Sequence, residues 1–279
     1  MLKIVHTVED LRAEVKGWRN SRETVGLVPT MGALHEGHLS LVRLSRARAM
    51  RTCVTLFVNP KQFGMNEDLK IYPRDEENDI SKLTHEGVDL LFKPSIDVMY
   101  PPSFTTSVSI DGLGDILEGK ARPGFFDGVA TVVTKLLMQS LPDFAFFGEK
   151  DFQQLMVVKQ LTRDLDIPVR VVAAPTIRDE DGLALSSRNT YLNLNERKIA
   201  PILHGTISQV AEQVSRGADL SDQIAWGGEQ LLKAGFSSVD YLTIRDIETF
   251  EEVQDNTRPA RVLAAAMLGQ ARLIDNVLI

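Results

Sequence analysis

At 279 residues the chain is long for one compact core and comfortable for two domains. Its 43% hydrophobic and 25% charged residues are an ordinary globular balance, and a net charge of −7 leaves no basic excess to neutralise a nucleic-acid backbone. Cys53 is the single cysteine, which excludes an intramolecular disulfide and a cysteine-based zinc site and fits a reducing cytosol. No uncharged apolar run approaches the roughly 20 residues of a membrane span, and charges appear too early for a signal-peptide core. The expectation is a soluble, cytoplasmic chain that engages neither nucleic acid nor membrane.

In chain order, "VGLVP" (25–29), "TCVTLFV" (52–58), "VDLLF" (88–92), "FAFFG" (144–148) and "VRVVAA" (169–174) read as buried strands. Between them "HLSLVRLSRARAM", "DEENDISKLTHEG", "GVATVVTKLLMQSL" and "DFQQLMVVKQLTRDL" carry helical spacing, while "IYPR" and "PSIDVMYPPS" read as proline-punctuated loops. This alternation predicts an α/β domain with a parallel sheet over residues 1–175, with ligands beyond the carboxyl ends of its strands. From 176 to 279 the pattern changes to two helices, "LNERKIAPILHGTISQVAEQVSRG" and "DLSDQIAWGGEQLLKAG". The strand-like "SVDYLTIRD", "ARVLAAAMLG" and "ARLIDNVLI" follow, which predicts a smaller α+β domain.

Four segments could carry chemistry. In "VPTMGALHEGHLSLV" (28–42), His35 and His38 stand three apart where a strand gives way to a helix. A helix N-terminus favours an anion, and glycine lets a ligand approach the chain. Three readings of the pair stand: metal ligands, capping residues, or phosphate donors. A metal needs further ligands, and His6, His85, His204 and Cys53 are not at ligand spacing. In "FFGEKDFQQL" (146–155), Lys150 opens a helix and suits a triphosphate, although a charged first helical turn is equally ordinary. In "GLALSSRN" (182–189), Ser186 and Ser187 either cap a helix or join Arg188 in closing over phosphates. In "FVNPKQF" (57–63), Asn59 and Gln62 are neutral groups suited to orienting a small polar substrate. Three of the four follow directly on strands of one predicted sheet.

Taken in this order, and with the terminal "GQARLIDN", the motifs resemble the pantoate–β-alanine ligase family of the His-x-Gly-His nucleotidylyltransferase superfamily over nearly the whole chain. The resemblance implies a Rossmann-like N-terminal domain with a smaller C-terminal lid, usually a homodimer. It implies condensation of pantoate with β-alanine through a pantoyl adenylate, with ATP as substrate accompanied by Mg²⁺. Met31, Gly32, Ala33, Leu34, His35, Glu36, Gly37 and His38 would then lie along the ATP, together with Gly148, Glu149, Lys150, Asp151, Ile177, Leu185, Ser186, Ser187 and Arg188. The catalytic set so implied is His38, His35, Lys150 and Arg188. Gln62 and Gln154 would hold pantoate, with Gln62 and Asn59 near β-alanine. No direct protein ligand is assigned to the metal, with Asp79 and Asp151 as outer-shell candidates. One departure is Phe125, where the family often carries histidine. A plain nucleotidylyltransferase and a nucleotide-binding regulator without catalysis are the rival readings.

Overall fold

The structure is a computed structural model that describes residues 2–64, 67–255 and 257–279. Two compact units emerge. The first comprises Met1–Glu149 with Gln153–Pro175, and the second comprises Lys150–Phe152 with Thr176–Ile279.

In the first unit the strands are β1 (Lys3–Val5), β2 (Val25–Thr30), β3 (Arg51–Leu56), β4 (Leu90–Phe92), β5 (Phe144–Gly148) and β6 (Arg170–Ala174). The helices between them are α1 (Val8–Asn20), α2 (Glu36–Arg48), α3 (Glu76–His85), α4 (Ile96–Met99), α5 (Glu118–Ala121), α6 (Phe125–Ser140) and α7 (Phe152–Asp164). All strand pairings are parallel, in the order β1-β4-β3-β2-β5-β6. From β2 the chain moves outward through β3 and β4, then returns to place β5 and β6 on β2's other side. That reversal makes β2 and β5 the topological switch point, where ligands bind in open parallel sheets. Val28, Val54, Leu91 and Phe146 come from four adjacent strands and meet Leu41, Val42 and Leu83 of α2 and α3 in one buried cluster. Such continuously apolar strands are what a sheet covered on both faces requires.

The second unit contains α8 (Leu194–Ile199), α9 (Ile202–Ser215) and α10 (Leu220–Ala234), then β7 (Ser238–Asp246), β8 (Ala260–Leu268) and β9 (Ala271–Leu278). The strands form an antiparallel sheet in the order β7-β8-β9. Leu203, Ile207, Val210 and Val214, at helical spacing on α9, pack with Val262, Ala264 and Ala266, which alternate along β8.

The observed α/β fold with a smaller α+β unit is the expected class. Several elements depart from the sequence reading. The single helix expected over "LNERKIAPILHGTISQVAEQVSRG" is two, because Pro201 has no N–H to continue the ladder and sits at the N-cap of α9. "PSIDVMYPPS" is not all loop, since the Ser95 side chain accepts from Val98 N and caps α4. Residues 57–59 of "TCVTLFV" and "FVNPKQF" leave the strand, which ends at Leu56. The edge strand β1, at three residues, is too short to show a period in sequence.

Candidate active site

Adjacent strands β3, β2 and β5 deliver the "FVNPKQF", "HEGH" and "GEKD" segments at their carboxyl ends. After β2 the chain passes through Met31–Leu34 in an unusual conformation. Gly32 has φ +88°, and Ala33 lies in the left-handed region at φ +51°, which disfavours any residue with a Cβ. Asp79 on α3 holds this turn: its carboxylate accepts from Ala33 N at 2.8 Å and Leu34 N at 2.7 Å, while Lys82 donates to Leu34 O at 2.6 Å. Asp79 is 1% exposed. Burial raises its pKa, and the two N–H bonds and Lys82 offset that only in part. Its oxygens are engaged in shaping the loop.

The helix α2 then begins at His35. The His35 Nδ1 accepts from Gly37 N at 3.2 Å, and the His38 Nδ1 accepts from His35 N at 3.3 Å, a reciprocal capping box. The two rings meet at a 45° tilt with centroids 4.2 Å apart. The capping reading is therefore real, and it has a chemical consequence. With Nδ1 serving as acceptor, the neutral ring carries its proton on Nε2, so each histidine is an N–H donor at Nε2. Glu36 is exposed and pairs with Arg43, which also pairs with Glu86.

After β3, Asn59 caps a short 3-10 turn, Pro60–Gln62. The Asn59 amide is saturated. Its Nδ2 donates to Gln62 Oε1 and Gly128 O, both at 3.0 Å, while its Oδ1 accepts from Tyr100 Oη at 2.8 Å and Lys61 N at 3.3 Å. Those four bonds exhaust what an amide side chain offers. Asn59 is 1% exposed and holds Gln62, whose Nε2 lies 3.1 Å from Met31 Sδ. Gln62 and Met31 are thus brought together from two motifs. Gln154 occupies the first turn of α7. Arg122 donates to Glu67 at 2.8 Å and lies 3.8 Å over the ring of Phe125, the residue that departs from the family's frequent histidine.

The second unit holds the other candidates. Lys150 and Asp151 lie in a 3-10 turn, with Lys150 Nζ 3.7 Å from Asp151. Ile177 and Leu185 face each other across a narrow hairpin, where Leu185 N donates to Ile177 O at 2.9 Å. Ser186 caps the 3-10 helix Ser187–Tyr191 by accepting from Arg188 N at 3.3 Å.

The family model for pantoate-beta-alanine ligase matches residues 3–278. The chain belongs to the pantoate-beta-alanine ligase family. It is accordingly an enzyme of the ligase class. Pantothenate synthetase from Paramagnetospirillum magneticum is 52% identical over 98% of this chain and 96% of its own, and that of Rhodospirillum rubrum is 50% identical over 99% and 98%. Among solved structures, pantothenate synthetase from Thermus thermophilus superposes with a TM-score of 0.93 at 46% identity, covering 99% of this chain and 98% of that one. A pantoate-beta-alanine ligase from Francisella tularensis, in complex with beta-gamma ATP and beta-alanine, has a TM-score of 0.83 at 34% identity over 100% and 98% of the two chains.

Among the candidate residues, Tyr100 and the loop-shaping role of Asp79 escaped the sequence reading. Asp79 had a signal: it precedes Leu83 by one helical turn, so a carboxylate shares the buried face of α3. Tyr100 had none, because it follows a four-residue helix with no period to read.

Proposed function

We propose that the chain makes pantothenate by spending ATP on pantoate's carboxylate and passing the resulting acyl group to β-alanine. Family membership supplies the overall condensation of pantoate and β-alanine. The use of ATP and the pantoyl adenylate are the proposed parts, and the ATP and β-alanine bound to the Francisella ligase support them. A carboxylate oxygen attacks the α-phosphorus and pyrophosphate leaves. The β-alanine amine, having lost its ammonium proton, then attacks the acyl carbon, and AMP leaves as the amide forms.

The observation that carries this reading is the capping pair at the head of α2, on the strand at the switch point. Two Nε2–H donors at a helix N-terminus suit an anion becoming more charged during in-line displacement. A carboxylate with a pKa near 4 is ionised at neutral pH and requires no general base in this step. The difficulty is bringing an anion to a polyanion, and positioned donors address it. Converting His38 to imidazolium would break its cap, about 0.5–1.5 kcal/mol, against a helix end worth about 0.3–1 kcal/mol more. A phosphate charge about 4 Å away favours the cation by roughly 4 kcal/mol at an effective dielectric of 20. The balance favours a neutral donor in the free chain and a cation beside ATP.

The nucleotide roles fall to Met31–His38, Gly148 and Glu149 in the first unit. In the second they fall to Lys150, Asp151, Ile177, Leu185, Ser186, Ser187 and Arg188. Gln62 and Gln154 hold pantoate, and Asn59 orients Gln62. Among the described residues no group of three or more His, Cys, Asp or Glu is gathered that could hold a metal ion. Mg²⁺ would accompany the ATP, carried on the triphosphate by phosphate oxygens and water. The lid role of residues 176–279, a homodimer and a cytoplasmic location complete the proposal. No helix among the described residues is long and apolar enough to cross a membrane.

The test is substrate dependence. Purified protein with Mg²⁺ and ATP should release pyrophosphate only when pantoate is added, and AMP with amide only when β-alanine follows. Pyrophosphate release that ignores pantoate would overturn the proposal and return the chain to the plain nucleotidylyltransferase reading.

A further inference from the structure

The terminal "LIDN" has no part in the chemistry above, yet it holds a buried charge with several partners. Asp275 and Asn276 are adjacent on β9 and 4% and 3% exposed. Successive side chains of a strand point to opposite faces, so one dipeptide can reach two separate segments.

Asp275 reaches the hairpin that leads into Ser186. Its carboxylate takes a bidentate fork from Arg178, Nη1 to Oδ2 at 2.6 Å and Nη2 to Oδ1 at 2.8 Å. The His204 Nδ1 lies 3.5 Å from the same Oδ2. Arg178 continues to Gly182 O at 3.1 Å and Asn276 O at 3.3 Å, and its backbone bridges Ala184. The fork therefore clamps both arms of the hairpin that presents Ile177 and Leu185 to Arg188.

Asn276 reaches the other segment. Its Nδ2 donates to Lys150 O at 3.0 Å, and its Oδ1 accepts from Arg261. A carbonyl held this way fixes the root of the Lys150 side chain without occupying its ammonium.

We propose that Asp275 and Asn276 are positioning residues for the nucleotide, holding the Lys150 turn and the Ser186–Arg188 hairpin at one spacing from a common strand. The inference rests on the nucleotide roles given to those two segments. It assigns no contact with ATP to either residue.

Asn276→Ala and Asp275→Asn in the full chain test it, with KM for ATP, pantoate and β-alanine measured separately and Mg·ATP binding followed by calorimetry. A damaged fold lowers the active fraction and so kcat, with no change in KM. Misplaced segments raise KM for ATP by about tenfold, the scale of one lost hydrogen bond, and leave the other two within about twofold. Should Asp275→Asn fail to fold, Asn276→Ala decides alone, because it leaves the Arg178 fork intact. An unchanged ATP KM, or a rise shared by all three substrates, overturns the inference. Wild-type chain that binds no Mg·ATP overturns the nucleotide roles themselves, which is a separate outcome.

Discussion

At the head of α2 each histidine gives its Nδ1 lone pair to a backbone N–H, and this assigns the tautomer without reference to any substrate. In the free chain at neutral pH, both Nδ1 atoms are expected to show the ¹⁵N shift of an unprotonated ring nitrogen. A neutral His38 with its proton on Nδ1 would leave Nε2 without the N–H proposed for the phosphates. Asn59 illustrates the same logic for a neutral group: four satisfied bonds make it a support for Gln62. Tyr100 supplies one of the four. Tyr100→Phe removes a single hydroxyl from a half-buried site and leaves Asn59 Oδ1 one donor short. Steady-state kinetics should then show KM for pantoate raised about 3- to 10-fold, for a bond worth about 0.5–1.5 kcal/mol. KM for ATP should stay unchanged.

Between elements, α6 crosses the Pro60–Gln62 turn at Gly128. A Cβ built there would stand 2.2 Å from Lys61 O and 2.6 Å from Gln62 N, both backbone atoms that cannot rotate away. Helix propensity taken alone favours Gly→Ala by about 1 kcal/mol. The contact reverses the sign, so Gly128→Ala is expected to destabilise the chain by about 1–3 kcal/mol through overpacking and to displace Gln62. Denaturant unfolding gives the first result, and a raised pantoate KM gives the second. A variant more stable than wild type would mean that α6 and the turn do not meet so closely. The same dependence on neighbours explains why "FVNPKQF" could be recognised in sequence as a polar strand end but not read as an Asn59–Gly128–Tyr100 lattice. Its partners lie 41 and 69 residues away.

Across the molecule two buried aspartates respond oppositely to acid. Burial raises the pKa of Asp79. The folded chain therefore binds that proton more tightly than the unfolded one, and the group's contribution favours folding in acid and fades as pH rises through its raised pKa. Burial also pushes Asp275 upward, but the His204 and Arg178 contacts outweigh it and leave its pKa lowered. Its contribution is present above the ordinary aspartate pKa, about 3.9, and is lost as pH falls through the lowered folded value. Asp275→Asn should therefore cost about 3–5 kcal/mol near neutrality, the scale of a broken buried pair, and progressively less below about pH 4. Urea midpoints at neutral and acid pH check this, and a pH-independent deficit would count against the charge pair as its source.

What the sequence determined by itself is whatever the chain repeats locally: the strand–helix alternation, the change of pattern near residue 176, and the four motifs with their family resemblance. Apolar period and turn chemistry act over a few residues, so they survive in one dimension. Tertiary structure alone decided that β3, β2 and β5 are neighbours, that Asp79 shapes the Met31–Leu34 turn, and that Asp275 and Asn276 bind the hairpin and the Lys150 carbonyl. Each depends on which distant group fills a buried polar atom's bonding capacity. A buried N–H or carboxylate must find a partner, but nothing in its immediate sequence says where along the chain that partner lies.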